Sequence, residues 1–197
     1  MLFRSPVNCA QIKIHNPNEN GEGEIWIKSQ TLMLGYYEDE EATKEVVHDG
    51  WFNSGDIGYQ DKDGYVYVTG RSKNVIVTQN GKNIYPEEIE LLLSKIPEIQ
   101  ECMVYGKEVE GEKELIISVK VIPNMEEIEK LHGKDLSEEE IHKIIWNKIK
   151  EVNKGLTSYK AIKNLEMKHD EFAKTTTMKI KRYVELQKDK EKNETKE

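Results

Sequence analysis

Residues 81–90 read Gly81-Lys82-Asn83-Ile84-Tyr85-Pro86-Glu87-Glu88-Ile89-Glu90. Pro86 fits the first position of a helix, where its missing N–H costs nothing and its fixed φ is already helical. The two acids that follow suit the positive end of the helix dipole. Ile89, Leu92, Leu93 and Ile96 then recur at helical spacing and form a buried stripe, and Pro97 stops it. This helix is flanked by extended segments. Asn74–Thr78 precedes it, and Cys102–Tyr105 and Leu115–Ile122 follow, joined by a polar hairpin at Glu110-Gly111-Glu112-Lys113. Strand, helix, strand, strand is an α+β order.

Towards the C-terminus, Asn124 with Glu127 and Ser137 with Glu140 repeat the capping-box pattern, each opening a helix. The first ends near Gly133. The second is longer and is lined by Ile141, Ile144, Ile145, Ile149 and Val152. Asn164–Lys168 reads as one more short strand. Residues 186–197 hold almost no apolar side chains and read as a charged, disordered tail.

Towards the N-terminus the pattern changes. Gln11–His15 and Glu24–Lys28 alternate polar and apolar residues, as half-buried strands do. A turn cluster, Asn16 to Gly21, separates them. Residues 39–47 suit a short helix with Ala42, Val46 and Val47 inward. Tyr65–Val68 is a strand entered through the turn Asp61-Lys62-Asp63-Gly64, whose aspartates lack the spacing and closing Glu of an EF-hand. The boundary falls at Gly70-Arg71, giving a β-rich segment 1–69, an α+β domain 70–185 and the tail 186–197.

The chain has 197 residues, 29 basic and 37 acidic, a net charge of -8. A global basic footprint for nucleic acid is excluded. The charge is uneven: residues 1–69 carry 12 acids and 5 bases, so most lysines lie beyond. No apolar run approaches the roughly 18 residues of a membrane span, so no membrane anchor is expected. Cys9 and Cys102 stand far apart without a partner motif, which argues against a disulfide framework or a zinc site and fits a cytoplasmic protein.

Several residues invite chemical readings. Asp56, in the polar turn Asn53-Ser54-Gly55-Asp56, either caps that turn or accepts two hydrogen bonds from a sugar diol. Arg71, after a glycine, is either a solvated linker charge or a fork for phosphate or carboxylate. Lys174–Arg182 places three threonines among bases, which suits a phosphate ester or a solvated face. Gly81-Lys82 is no P-loop, since the upstream glycine is missing and Asn83 stands where Ser or Thr is needed. The five histidines show no ligand spacing.

Taken in order, five stretches resemble the C-terminal part of AMP-forming acyl-CoA ligases, in the adenylate-forming superfamily. They are Gly23–Ile27 with Gly35-Tyr36-Tyr37 and Glu41-Ala42-Thr43; Asp49-Gly50-Trp51-Phe52-Asn53-Ser54-Gly55-Asp56-Ile57-Gly58; Gly70-Arg71-Ser72-Lys73-Asn74-Val75-Ile76; Gly81–Glu90; and Lys174–Arg182. The spelling around Asn80-Gly81-Lys82 and the threonine-rich terminal motif looks most like bacterial long-chain fatty acid–CoA ligases.

The resemblance implies an incomplete small β-barrel subdomain followed by the mobile α+β C-terminal domain of an adenylate-forming enzyme. It implies a ribose-binding role for Asp56, a ribose or phosphate contact for Arg71 and a hinge at Lys73. Gly81 and Lys82 would line the CoA channel, and Lys179 would be the catalytic lysine of adenylation. ATP/AMP and CoA would be substrates, with Mg2+ accompanying ATP and held mainly by the large domain. The acyl substrate would be a fatty acid or another carboxylate.

Three departures stand out. Ser54 replaces Thr, Asn74 replaces an acid, and Met178 replaces a glycine. Met resists positive φ, so the Lys179 loop is expected to differ in shape or to start a helix early. The phosphate loop, adenine pocket and acyl tunnel of the large domain do not occur in this sequence. The isolated chain is therefore expected to be inactive, as a ligase fragment or as a subunit docking onto a large-domain partner in trans. A non-catalytic nucleotide-binding remnant and a peptide-synthetase adenylation domain are the remaining alternatives.

Overall fold

The computed structural model describes residues 2–4, 6–78, 81–108 and 115–187. The sequence-predicted hairpin at Glu110–Lys113 and nearly all of the 186–197 tail lie outside the described residues. The chain divides into two compact units, Met1–Glu88 and Ile89–Glu197.

The first unit is built on one antiparallel sheet, an open, curled half-barrel. Its strands are β1 (Leu2–Arg4), β2 (Ala10–His15), β3 (Gly23–Ser29), β4 (Val47–His48), β5 (Trp51–Gln60) and β6 (Val66–Arg71). The order is β1-β6-β5-β3-β2, with β4 paired to β5. Helix α1 (Glu40–Val46) enters β4, and Asp39 caps it by accepting from the Ala42 N–H at 2.9 Å. None of its residues is buried, and Val47, expected inward on this helix, belongs to β4. Asp49 and Gly50 both take positive φ, 51° and 77°, which is the two-residue hairpin that joins β4 to β5. Asp61 turns the chain into β6 by accepting from the Asp63 and Tyr65 N–H groups.

Along the ten residues of β5 only Gly58 is buried. The other residues of the strand are part-buried or exposed. Beyond β6 a 3-10 turn (Ser72–Asn74) leads to the short pair β7 (Ile76–Val77) and β8 (Asn83–Ile84). Ile84 and Tyr85 are buried there. Composition changes at 69/70, but contacts divide the chain at 88/89. Gly70 and Arg71 still pair with Ile57 and Asp56 of β5, and the rest of the segment packs back on them: a Cβ at Gly70 would lie 2.9 Å from Glu87 Oε2 and 3.1 Å from the Tyr85 ring.

Helix α2 (Pro86–Leu93) begins at the expected proline but stops four residues before Pro97. Ile89 and Leu93 are fully buried, but Leu92 is exposed, which narrows the expected stripe. The second unit continues with β9 (Ile99–Lys107), β10 (Ile116–Pro123), α3 (Met125–His132), α4 (Glu138–Lys154) and β11 (Ile162–Met167). The sheet order is β11-β10-β9. β9 and β10 are antiparallel, and the two-helix crossover makes β10 and β11 parallel. Both N-caps are as the sequence spells them: Asn124 accepts from Glu127 N–H, and Ser137 forms the full reciprocal box with Glu140. Gly133, at φ 101°, ends α3. Ile141, Ile145 and Ile149 are the buried face of α4. β10 is buried along nearly its whole length, as a central strand covered on both sides must be. Among the described residues no helix is long and apolar enough to cross a membrane.

Candidate functional site

Six residues carry the sequence-based expectations. Asp56, Arg71, Lys73, Gly81 and Lys82 fall in the first unit, and Lys179 falls in the second.

Asn53–Asp56 is no separate turn. Strand β5 runs through it, and Gly55 (φ 71°) bends the strand. The bend is held by side chains. Ser54 Oγ donates to the Ile25 carbonyl at 2.7 Å and accepts from the Asp56 N–H at 3.1 Å. Asn53 accepts from the Gly55 N–H at 2.9 Å. The hydroxyl is thus what position 54 needs, and serine supplies it. Asp56 and Arg71 are cross-strand partners, with Arg71 Nε 2.8 Å from Asp56 Oδ1. Arg71 Nη1 also reaches the Ser54 carbonyl at 3.5 Å, and Ser72 Oγ donates to the Gly55 carbonyl at 3.1 Å. A carboxylate and a guanidinium, both part-exposed, therefore stand on a braced strand pair. That is an arrangement able to meet hydroxyl and anionic groups together.

Lys73 is exposed in the 3-10 turn. Asn74 beside it donates from Nδ2 to Glu87 Oε1 at 2.5 Å. A carboxylate at position 74 would set two like charges together, so the amide is the residue that Glu87 accommodates. Gly81 holds φ 71°, and a Cβ there would meet nothing within 4 Å. The glycine answers to backbone sign in this turn. Thr78 ties the turn together: its backbone N–H and hydroxyl donate to the Lys82 carbonyl at 3.0 and 3.2 Å, and its hydroxyl accepts from the Lys82 N–H at 3.1 Å.

In the second unit, residues 173–181 form a small hairpin. Lys174 bridges Ile180 antiparallel, the Thr175 N–H donates to the Lys179 carbonyl at 2.8 Å, and the Lys181 N–H donates to the Ala173 carbonyl at 2.7 Å. Thr175 Oγ1 accepts from the Lys179 N–H at 3.2 Å. Met178 takes φ 61°. Residues 173–181 thus form a hairpin and not an early helix, and Met178 takes the left-handed conformation that a methionine ordinarily resists. The hairpin's cross-bridge and threonine hydrogen bonds hold position 178 in the left-handed region, and the side chain, 71% exposed, meets no obstacle. Lys179 is exposed at the tip.

The base of the hairpin is clamped. Phe172 and the partly buried Ile180 join the core of Met103, Tyr105 and Ile122. Lys174 pairs with Glu101, which raises the pKa of the ammonium by hydrogen bonding to its charged form. Arg182 Nη2 donates to both oxygens of Glu90 at 2.7 and 2.5 Å, and Nη1 donates to the Val104 carbonyl at 2.9 Å. Glu185, 1% exposed, accepts from the Ala173 N–H at 3.0 Å and pairs with Lys168 at 3.3 Å. The Glu90–Arg182 pair could not be read in advance, because 92 positions separate the partners. The only signal was that one residue closes the 81–90 motif and the other closes the 174–182 motif. Among the described residues no group of three His, Cys, Asp or Glu side chains could hold a metal ion. A magnesium ion carried by ATP phosphates needs no such cage.

Comparison with known proteins places the chain in a family. Residues 73–189 match the family model described as AMP-binding enzyme C-terminal domain. The chain is 41% identical over 109 residues to an indoleacetate–CoA ligase of Aromatoleum aromaticum, covering 55% of this chain and 21% of that protein. It is 35% identical over 185 residues to the long-chain-fatty-acid–CoA ligase ACSBG2 of Gallus gallus, covering 89% of this chain and 24% of that protein. Among solved structures it is similar to o-succinylbenzoate coenzyme A synthetase (MenE) from Bacillus subtilis in complex with ATP and magnesium ion. There the TM-score is 0.69 and the identity 26%, over 91% of this chain and 34% of that one. The chain thus spans a quarter or less of the curated relatives it matches, and those relatives act on different carboxylates. Both the family match and the fold lead to one statement: the chain belongs to the AMP-binding enzyme C-terminal domain family, within the adenylate-forming acyl-CoA ligase superfamily.

Proposed function

We propose that this chain supplies the C-terminal part of an ATP-dependent, AMP-forming acyl-CoA ligase, with a fatty acid as the carboxylate substrate. The observation that carries the reading is Lys179: an exposed ammonium at the tip of a hairpin whose base is fixed by ion pairs. In the first half-reaction the substrate carboxylate oxygen attacks the α-phosphorus of ATP and pyrophosphate leaves. Lys179 provides a point charge between the two anionic groups, orients the attack and offsets charge developing on the phosphoryl oxygens. Asp56 accepts from the ribose hydroxyls, and Arg71 holds Asp56 and contacts the ribose or phosphate. In the second half-reaction the CoA sulfur attacks the acyl carbon, the thiol proton is lost and AMP leaves. Lys73 is the pivot between the two steps, and the Gly81-Lys82 turn lines the pantetheine channel. Magnesium, accompanying ATP and held mainly by the large domain, would screen the phosphates. A fatty acid is favoured among carboxylates by the relative that matches along 89% of the chain.

The isolated chain is inactive in this reading, and a large domain completes it in cis or in trans. The exposed apolar segment containing Met33, Leu34, Tyr36 and Tyr37 supports that, because such surface is ordinarily covered by a partner. The test joins this chain to the large domain of a relative and follows carboxylate-dependent ATP–pyrophosphate exchange. Exchange is expected, and Lys179→Ala is expected to lower it at least a hundredfold while sparing thioester formation from preformed acyl-adenylate. Exchange within twofold of the unmutated protein after Lys179→Ala would remove the catalytic assignment.

A further inference from the structure

The hairpin that carries Lys179 is anchored more heavily than a solvated five-residue tip requires. Its entry strand is held by the Ala173 N–H on Glu185 and by the Lys174–Glu101 pair. Its exit side is held by Arg182, whose Nη2 closes on both Glu90 oxygens while Nη1 reaches the Val104 carbonyl. Glu90 in turn accepts from the Val104 N–H at 2.7 Å, so one carboxylate and one guanidinium fasten α2, β9 and the hairpin at a single point. Both side chains are largely buried, 18% and 19% exposed. Nη2 meets both carboxylate oxygens and Nη1 the carbonyl, from a rigid planar group whose donor directions are fixed; an ammonium on a flexible stem would hold the same three acceptors with less order.

We infer that Arg182 is a positioning residue for Lys179. Its guanidinium is engaged by Glu90 and the Val104 carbonyl, and it fixes the backbone from which the Lys179 ammonium reaches. This rests on the adenylation role given to Lys179. Lysine is a flexible stem, so the placement of its Cα sets where its charge can stand without further ordering cost. A displacement of about 1 Å at such a group can cost on the order of a hundredfold in rate.

Two measurements test it. In the 197-residue chain, Arg182→Lys is expected to speed amide exchange at Lys179 and Lys181 at least tenfold, leaving the β10 amides unchanged. In the joined enzyme the same variant is expected to lower the turnover of adenylation at least tenfold, with KM for ATP and the thioester half-reaction within twofold. Glu90→Gln keeps an acceptor for the Val104 N–H and is expected to act in the same direction, more weakly. Unchanged exchange in the hairpin, or an equal fall in both half-reactions, would overturn the inference. If Lys179→Ala leaves adenylation intact, the catalytic reading fails by itself, and the exchange data still report whether Arg182 holds the hairpin.

Discussion

Glu98 offers the sharpest test of how the second unit is held together. Its side chain is fully buried, and Oε1 receives His132 Nε2 and Lys148 Nζ, each at 3.0 Å. Oε2 is buried without a partner among the described residues. The carboxylate joins the segment after α2 to the end of α3 and the middle of α4. Replacing it by Gln keeps an acceptor and removes the charge. Two hydrogen bonds to a charged group are worth about 1.5–3 kcal/mol each. His132 and Lys148 are 31% and 44% exposed, so both rehydrate when released, and much of that sum is returned. The expected loss for Glu98→Gln is about 2 kcal/mol at pH 7, or a urea midpoint lower by about 1 M for a slope of about 2 kcal/mol per M. Burial pushes the Glu98 carboxyl up, but the bonds from His132 and Lys148 outweigh it and leave its pKa below the ordinary 4.5. A depressed folded-state pKa stabilises above the unfolded value and is lost as pH falls through the folded one. The gap between the two proteins should therefore close on acidification below 4.5. Amide exchange along α4 against urea reads this unit separately from the first. A difference under about 0.5 kcal/mol at pH 7, or one that persists unchanged at about pH 3, would refute the account.

Other expectations follow from single geometries. Gly58→Ala places a Cβ 2.1 Å from the Tyr67 carbonyl oxygen, and should destabilise the first unit by about 3 kcal/mol or more; exchange should rise in β3 and β6 and stay constant in α4. Met178→Gly relieves a left-handed residue, a strain of about 1–2 kcal/mol, against about 0.5–1 kcal/mol of added chain entropy. The hairpin should tighten by up to about 1.5 kcal/mol, seen as slower exchange at Lys179; faster exchange would contradict this. Burial pushes the Cys102 thiol up to about 12, with Glu90 adding to it, while Cys9 is exposed. A disulfide reagent at pH 8 should label Cys9 and leave Cys102 at least a hundredfold slower; equal labelling would show that the second unit opens.

Much of this protein was legible in its sequence because the deciding signals are local. Caps at Asn124 and Ser137, the proline opening α2, and the isoleucine spacing of α4 each act within a few residues, so they could be read one by one. The ordered motifs placed the chain in its family, since glycines and charges at fixed spacing reflect backbone turns and close approaches. Leu92 misled because helical spacing does not say how wide the covered stripe will be. Asn53–Asp56 misled because polar residues around a glycine serve a strand bend as well as a turn, and only the pairing with β3 and β6 decides between them. The fold also shows how the departures are accommodated locally. Met178 is held at φ 61° by a hairpin whose hydrogen bonds come from Thr175 and Ala173, and Asn74 is answered by Glu87. The Arg182–Glu90 pair, like the burial of Glu98 and Glu185, joins residues that no local pattern connects. Local propensity and periodicity were set by the sequence alone. The pairing of distant charges was set by the packing of α2, β9 and the hairpin, because a carboxylate can be buried only where the folded chain brings a cation to it.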